Sequence, residues 1–232
     1  MLSVSVVIPA LNEEESIGQV LAAITRDWVE ELIVVDGGST DDTAAIARAA
    51  DARIIREAQR GYGRACAAGV AAARGDIVLF LDADGAYDPG QIPALLAPIL
   101  AGEADMVLGS RLLGELARDA MPWHQQAGNR LAARLIRWLY GVPLTDLSPF
   151  RAIRRESLLA LGMKEMTYGW PTEMIVKAAL RGWRIVEVAV RCRPRSGGRS
   201  KISGTVRGTV LAAYHILRTI FRYAKNKAEP DE

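Results

Sequence analysis

Cysteine is scarce in this sequence, charge is nearly balanced, and no long apolar run is present. The cysteines, Cys66 and Cys192, lie far apart without metal-ligand spacing, which argues against a disulfide framework and indicates a reducing compartment. A formal net charge of +2 gives no sign of a nucleic-acid partner. We find no run of about 18 uncharged apolar residues that would span a bilayer, and no secretory signal. These absences favour a cytoplasmic protein.

The 232 residues, of which 50% are hydrophobic, are enough for one substantial core. In the first half, short apolar runs alternate with helical patterns, which predicts an α/β fold with a mostly parallel sheet flanked by helices. The predicted strands are 4–8, 32–35, 53–55, 77–81 and 106–108, and the predicted helices are 13–25, 40–50, 63–74 and 89–100. The second half adds strands at 149–153 and 184–190 and helices at 125–140, 172–181 and 205–223.

The apolar strand 77–81 runs directly into two carboxylates, Asp82 and Asp84. Burying a bare charge is costly, so aspartates at such a position need a cation or hydrogen-bond donors. Hard oxygen ligands suit Mg²⁺ or Mn²⁺, and these ions often hold a diphosphate. The alternative is an Asp-rich turn that follows a strand.

Other polar residues also follow predicted strands. Asn12 and Glu13 follow the first strand, Asp36 the second, and Arg111 the fifth. Ligands of parallel α/β sheets bind at the carboxyl ends of the strands, so we expect these residues near one another.

These features together resemble the family 2 glycosyltransferases of GT-A fold, and most closely the branch of dolichol-phosphate and polyprenol-phosphate mannose and glucose synthases. The resemblance covers about residues 3–204. Each segment is weakly specific alone, but seven in the right order are specific. They are 6–14 (VVIPALNEE), 34–43 (VVDGGSTDDT), 61–65 (GYGRA), 82–84 (DAD), 109–111 (GSR), 148–151 (SPFR) and 195–201 (RSGGRSK).

The resemblance implies a nucleoside diphosphate sugar, UDP- or GDP-linked, as the donor and an inverting transfer. It assigns Asp82 and Asp84 to the Mg²⁺ or Mn²⁺ ion, with Asp84 also counted as catalytic. The residues that it assigns to the nucleotide pocket are Pro9, Ala10, Asn12, Glu13, Asp36, Gly63 and Asp82. Asp36 has the alternative role of a turn residue at a strand end. The sequence departs from the family pattern at Gly37, which replaces an aspartate, and at Ala86, where some relatives have a further polar metal ligand.

The acceptor side leaves two interpretations open. A hydroxyl acceptor needs a general base, and Glu173 aligns with an acidic family position, although it is also an ordinary glutamate for a helix N-terminus. A phosphate acceptor needs cations instead. Arg111 is assigned to catalysis, and the cations assigned to the acceptor phosphate are Arg130, Arg151, Arg195 and Lys201. An arginine expected before Asn129 in the lipid-phosphate branch is missing.

The last predicted helix has a basic stripe beside an apolar stripe. The basic residues are Arg207, Arg218, Arg222 and Lys225, and the apolar ones are Val206, Val210, Leu217 and Phe221. This pattern is typical of a helix on an anionic membrane surface, but also of a helix packed on its domain with the basic side in water. We divide the chain into a GT-A domain at 1–204, this helix at 205–224 and a disordered tail at 225–232.

The sequence therefore predicts a metal-dependent hexosyltransferase that uses a polyprenyl phosphate acceptor, located in the cytoplasm or on the cytoplasmic face of a membrane. Two alternatives remain: a glycosyltransferase with a soluble hydroxyl acceptor, and a catalytically silent nucleotide-sugar binding protein. The sequence does not identify the sugar, nor does it decide between UDP and GDP or between Mg²⁺ and Mn²⁺.

Overall fold

A computed structural model describes residues 2–198 and 206–228, and in these ranges the chain forms a seven-stranded sheet with helices on both faces. The strands are β1 (Val4–Ala10), β2 (Glu31–Asp36), β3 (Arg53–Arg56), β4 (Ile77–Phe80), β5 (Met106–Ser110), β6 (Arg151–Arg154) and β7 (Ile185–Ala189). Their order across the sheet is β3-β2-β1-β4-β6-β5-β7. The predicted α/β class and mostly parallel sheet are confirmed.

The helices follow the predicted order, with one addition. They are α1 (Ile17–Ala22), α2 (Thr43–Ala49), α3 (Tyr62–Ala72), α4 (Ile92–Leu100), α5 (Trp123–Tyr140), α6 (Arg155–Ala160), α7 (Trp170–Leu180) and α8 (Val206–Ala228). A short 3-10 helix, Pro89–Gln91, precedes α4. The sequence did not predict α6, because six residues are too few for a helical period. Helix α8 continues to Ala228, beyond the predicted end at 224.

Strand β6 is antiparallel to both of its neighbours, β4 and β5, whereas the other described pairs are parallel. In the register, Arg151 at the start of β6 lies opposite Phe80 near the end of β4 and opposite Leu108 in β5. The chain that enters β6 therefore lies at the same sheet edge as the carboxyl ends of β4 and β5.

The two faces of the sheet bury separate apolar layers. Successive side chains of a strand point to opposite faces, so Val6 and Ile8 join the layer under α1, α2 and α4 while Val7 joins the other. The second layer lies under α3, α5, α7 and α8. Both faces of the sheet are covered, which leaves the edge at the carboxyl ends of the strands as the place for a site.

Helix α8 packs on this second layer next to α5. Its Ile220 is fully buried, and the hydroxyl of Tyr140 in α5 donates to the carbonyl oxygen of Ile220 at 2.5 Å. None of the helices in the described ranges is long and apolar enough to cross a membrane.

Candidate functional site

The turn after β1 and the turn after β2 are bound to each other by side chains. Asn12, in the left-handed region at φ 52°, donates its N–H to Ser39 Oγ at 2.9 Å and accepts the N–H of Thr40 on Oδ1 at 2.9 Å. The N–H of Glu13 donates to Thr43 Oγ1 at 2.8 Å. The structure thus joins the predicted nucleotide residues Asn12 and Glu13 to the end of the second strand.

Asp36 ends β2 directly opposite Ala10 in β1, and Pro9 lies opposite Val35. The Asp36 side chain is buried, and its Oδ1 accepts the N–H of Ser39 at 2.8 Å. This bond is the turn role considered above. The predicted contacts of Pro9, Ala10 and Asp36 with a nucleotide remain predictions.

Asp82 and Asp84 follow β4 at the same edge. The hydroxyl of Tyr62 in α3 donates to Asp82 Oδ1 at 3.2 Å, and Asp84 Oδ1 accepts the N–H of Ala86 at 3.0 Å. Burial, with the charge of Asp84 next, raises the pKa of Asp82 to about 7. Two carboxylates that disfavour each other's charge are a donor set that a divalent cation relieves, so these residues fit Mg²⁺ or Mn²⁺.

The residues that the structure describes offer only part of a metal coordination shell. Within residues 2–198 and 206–228, no group of three or more His, Cys, Asp or Glu side chains could hold a metal ion. Because Ala86 offers no side-chain ligand, oxygens of a diphosphate or water must complete the shell. Mg²⁺ bound through one or two carboxylates and substrate phosphates is the usual arrangement in proteins.

A basic segment, residues 193–198, crosses from the metal loop to the turn after β1, and we call it the strap. The N–H of Ser196 donates to the carbonyl oxygen of Asp84 at 2.9 Å. At the other end, Arg195 Nη2 donates to both carboxylate oxygens of Glu13, at 2.9 and 2.7 Å. Gly85 makes this possible, because it has a φ of +73° and a Cβ there would lie 2.2 Å from Ser196 Oγ.

Gly63 has a packing role in the structure. A Cβ on Gly63 would lie 2.6 Å from the carbonyl oxygen of Glu165, so only glycine permits this approach. The N–H of the next residue, Arg64, donates to the carbonyl oxygen of Met166 at 3.2 Å. The structure therefore explains Gly63 by the loop at 165–166, and its predicted contact with a nucleotide remains a prediction.

Arg111 follows β5 and forms a bidentate ion pair with Asp146, which is fully buried. Its Nε and Nη2 donate to Asp146 Oδ2 and Oδ1 at 2.8 and 2.7 Å. Burial alone would raise the pKa of Asp146, but the hydrogen bonds and charge of Arg111 outweigh it and lower that pKa. The charge of Arg111 offsets part of the rise that burial and Asp84 cause in the pKa of Asp82.

The structure buries Arg151, and its predicted role in binding the acceptor phosphate stays a prediction. Arg151 is buried in the sheet, and its guanidinium donates to the carbonyl oxygens of Leu147, Ser148 and Pro171. Burial lowers its pKa to about 10. A guanidinium that satisfies interior carbonyls contributes to the fold and has no surface on which to meet a substrate.

The structure encloses Glu173, and its predicted role as a general base stays a prediction. The Glu173 side chain is fully buried and accepts the N–H groups of Lys164 and Glu165 at 2.7 to 3.0 Å. It also accepts the Tyr223 hydroxyl and pairs with Lys177 Nζ at 2.9 Å. With its oxygens so engaged, the carboxylate joins α7, α8 and the preceding loop instead of reaching a substrate.

The remaining predicted cations differ in position. Arg130 is exposed on α5, so its predicted contact with an acceptor phosphate remains a prediction. Arg195 pairs with Glu13, which orients it over the site. Lys201 lies outside the described residues, as do the side chains of Arg207 and Lys225.

Comparison with protein-family models identifies the family of this chain. The model of the family described as "Glycosyl transferase family 2" matches residues 5–162, more than half of the chain. The chain belongs to glycosyl transferase family 2. The predicted glycosyltransferase identity and GT-A fold are confirmed.

Relatives of this glycosyltransferase include both uncharacterised and named proteins. An uncharacterised glycosyltransferase of Mycobacterium bovis is 43% identical over 218 residues, which cover 94% of this chain and 98% of the relative. A dolichyl-phosphate hexose transferase of Haloferax volcanii is 38% identical over 83% of this chain and 84% of its own. An undecaprenyl-phosphate mannosyltransferase of Micrococcus luteus is 33% identical over 90% and 91%. The predicted branch is therefore represented among the relatives.

Similar solved structures come from a different acceptor class. Glucosyl-3-phosphoglycerate synthase of Mycobacterium tuberculosis, in complex with phosphoglyceric acid, matches with a TM-score of 0.78 and 29% identity over 100% of this chain and 82% of that one. The same enzyme with Mn²⁺, UDP and phosphoglyceric acid matches with a TM-score of 0.75 and 28% identity over 96% and 78%. It has also been crystallised with Mg²⁺ and UDP. These structures agree with the predicted divalent metal cofactor.

Proposed function

We propose that this glycosyltransferase transfers a hexose, with inversion, from a nucleoside diphosphate sugar to a polyprenyl phosphate at a membrane surface. The names of the dolichyl-phosphate and undecaprenyl-phosphate relatives support the acceptor class, and the UDP complexes of the structural neighbours support a uridine donor. The single observation that carries the membrane part is the exposed face of α5 and α8, described below.

The donor side of the proposal uses the residues at the ends of β1, β2 and β4. The carboxylates of Asp36 and Glu13 accept hydrogen bonds from the base or ribose. Asp82 and Asp84 would hold Mg²⁺ or Mn²⁺, which when bound neutralises charge on the diphosphate leaving group. Arg111, which follows β5 at the same sheet edge and is held by Asp146, supplies a fixed cation.

A phosphate acceptor agrees with the buried position of Glu173. A hydroxyl acceptor must lose a proton and needs a nearby base, whereas a phosphate is already an anion near neutral pH. The carboxylate predicted for that task is fully enclosed by its own donors. The acceptor phosphate instead needs charge-assisted hydrogen bonds, which arginines give.

Helices α5 and α8 expose an aromatic and basic surface, which we call the α5–α8 face. Its exposed apolar residues are Trp123, Leu131, Trp138, Val210, Tyr214 and Phe221, and its exposed arginines are Arg130, Arg134, Arg137, Arg218 and Arg222. The two tryptophans are 79% and 77% exposed, so packing within the protein does not explain them. Neither α5 nor α8 contains an Asp or Glu, although the chain has 27 acidic residues.

A surface of this composition is complementary to an anionic bilayer. Trp and Tyr favour the level of the lipid headgroups, and each Lys or Arg near an anionic surface contributes about 1 kcal/mol. The inward side of α5 carries Asn129, which binds Asp146 in the site. The α5–α8 face therefore begins next to the site, where a lipid-linked phosphate would have to enter.

Vesicle binding and turnover test this proposal together. Replacing Trp123 and Trp138 by alanine should weaken binding to phosphatidylglycerol vesicles by about tenfold or more, because two aromatic side chains lose their burial. Trp28→Ala is the matched control, since Trp28 is 42% exposed and lies between α1 and β2. Sugar transfer to undecaprenyl phosphate in those vesicles should fall with the binding. Equal binding by all variants, or no transfer to the lipid, would contradict the proposal.

A second acceptor class is favoured by the structural neighbours, which bind phosphoglyceric acid. The same assay includes 3-phosphoglycerate as a soluble acceptor. Transfer to it at a rate that ignores vesicles would establish this second function, and the α5–α8 face would then need another explanation.

A further inference from the structure

Arg111 directly follows β5 at the carboxyl edge of the sheet. Only β6 separates β5 from β4, whose carboxyl end leads into Asp82 and Asp84 at the same edge. The Arg111 side chain is 19% exposed, whereas its partner Asp146 is fully enclosed. One edge of the guanidinium is therefore bound to the protein, while the side chain as a whole keeps some contact with solvent.

The Nε and Nη2 edge of the Arg111 guanidinium is bound by Asp146. Asp146 accepts three bonds from Arg111: the backbone N–H at 2.9 Å, Nε at 2.8 Å and Nη2 at 2.7 Å. It also accepts Nδ2 of Asn129 from α5. No hydrogen bond joins Nη1 of Arg111 to any residue in the described ranges. This nitrogen is available for a ligand.

Two further side chains hold the segment that carries Asp146. Glu187 of β7 accepts the N–H groups of Thr145 and Asp146 at 2.8 and 3.0 Å. Asn129 Oδ1 accepts the N–H of Leu147 at 3.2 Å. Three successive peptide N–H groups are thus bound by side chains from two other elements, which fixes the Asp146 carboxylate and the plane of the guanidinium it holds.

We propose that Asp146, supported by Asn129 and Glu187, is a positioning residue that aims Nη1 of Arg111 at a phosphoryl oxygen of the reacting groups. The inference rests on the proposed function and deepens it, since the oxygen belongs either to the donor diphosphate or to the acceptor phosphate. An arginine fork held by a carboxylate loses little rotamer entropy when its other edge binds an anion. Fixing first-contact groups through buried neighbours is how sites keep their geometry.

The test is a double-mutant cycle between Asn129→Ala and Arg111→Met on the full-length enzyme. Asn129→Ala should lower kcat/KM by about fivefold to tenfold in the wild-type background and have no further effect in the Arg111→Met background. Asp146→Asn should follow the same pattern with a larger loss. Gln126→Ala is the matched control, because Gln126 is another α5 amide that binds a backbone carbonyl oxygen, that of Met121, outside this network.

The cycle overturns the proposal if the Asn129→Ala loss is equally large without Arg111, because Asn129 would then act on its own. Unchanged kcat/KM with a lowered melting temperature would also overturn it, since the network would be merely structural. A higher KM for the donor alone assigns the phosphoryl oxygen to the diphosphate, and a higher KM for the acceptor alone assigns it to the acceptor.

Binding measurements separate this inference from the proposed function. If the wild-type enzyme shows no turnover, the proposed function fails, and titration calorimetry with UDP plus Mn²⁺ and with inorganic phosphate still measures the role of Arg111. Weaker binding of either ligand by both Arg111→Met and Asn129→Ala supports the positioning role. Unchanged binding of both ligands overturns it.

Discussion

Replacing Glu173 by glutamine separates a structural carboxylate from a catalytic one. The amide keeps the shape of the side chain but removes the charge that pairs with Lys177. It also places an NH₂ group against backbone N–H groups that the carboxylate now accepts, those of Lys164 and Glu165. We therefore expect a large loss of stability with little effect on the chemical step.

The size of the loss follows from burial. Breaking a buried ion pair by removing one partner costs about 3–5 kcal/mol, and the lower end applies here because the Lys177 side chain, 11% exposed, regains some water. A loss of about 3 kcal/mol corresponds to a fall in melting temperature of roughly 6–12 °C for a chain of this length. Urea unfolding followed by tryptophan fluorescence measures it, with Glu156→Gln on the surface of α6 as the control.

The pH dependence has a definite sign. Burial alone would raise the pKa of Glu173, but bonds from Tyr223, Glu165, Lys177 and Lys164 lower it below its usual 4.5. A lowered folded pKa gives stability that is present above the unfolded value of 4.5 and lost as pH falls through the folded pKa. The stability difference between wild type and Glu173→Gln should thus be constant near neutral pH and shrink below 4.5.

Turnover decides between the two roles. Loss of a general base lowers kcat by about 10²- to 10⁴-fold, whereas a structural change should leave kcat per folded molecule within about threefold at 15 °C. A Glu173→Gln enzyme of normal stability that has lost its turnover would refute the structural interpretation and restore the predicted base.

Three further predictions concern the metal motif, the buried arginine and the strap. With a UDP-sugar at about a hundred times its dissociation constant, Mn²⁺ should add about 2.7 kcal/mol to the free energy of unfolding. This gain should vanish in Asp84→Ala. It should persist in the surface control Asp27→Ala. Arg151→Met should lower the free energy of unfolding in urea by about 3 kcal/mol, because several buried carbonyl groups lose their donor. The KM for the acceptor should stay within twofold. Normal stability with a raised KM would instead indicate that Arg151 binds the acceptor. Gly85→Ala should lower the free energy of unfolding by about 1–2 kcal/mol because of the positive φ at this position. Limited proteolysis should cut the strap faster than in wild type. An unchanged cleavage rate would mean that the strap does not depend on Gly85.

The sequence predicts the polar residues of the site that follow a parallel strand. It misses those that precede the antiparallel strand β6. Polar residues after parallel strands pointed correctly to Asp36, Asp82 and Arg111 at one edge. Asp146 precedes a strand and was missed, because β6 runs antiparallel and brings its amino end to that edge. A reversed strand inside an otherwise parallel pattern has no periodic signature, although the polar pair Thr145 and Asp146 between leucines was a visible signal.

The roles predicted for Glu173 and Arg151 have a common origin. Both are charged residues at positions that resemble the family pattern, and a charge at such a position suggests contact with a substrate. Some of their partners belong to other elements of the fold, namely the carbonyl of Pro171 for Arg151 and the hydroxyl of Tyr223 for Glu173. The spacing of residues along the sequence does not reveal tertiary contacts of this kind. Only the structure shows that both charged groups are hydrogen-bonded inside the fold.

The contact between Tyr223 and Glu173 ties the C-terminal helix to the loop before α7. Glu173 also holds Glu165, whose loop packs against Gly63 at the start of α3, next to the Tyr62 that donates to Asp82. A shortened protein without α8 would lose one donor to Glu173 and uncover the apolar layer around Ile220. Such a truncation would destabilise the fold and also remove part of the α5–α8 face, so an active variant with weaker membrane binding is better sought by changing exposed tryptophans than by removing the helix.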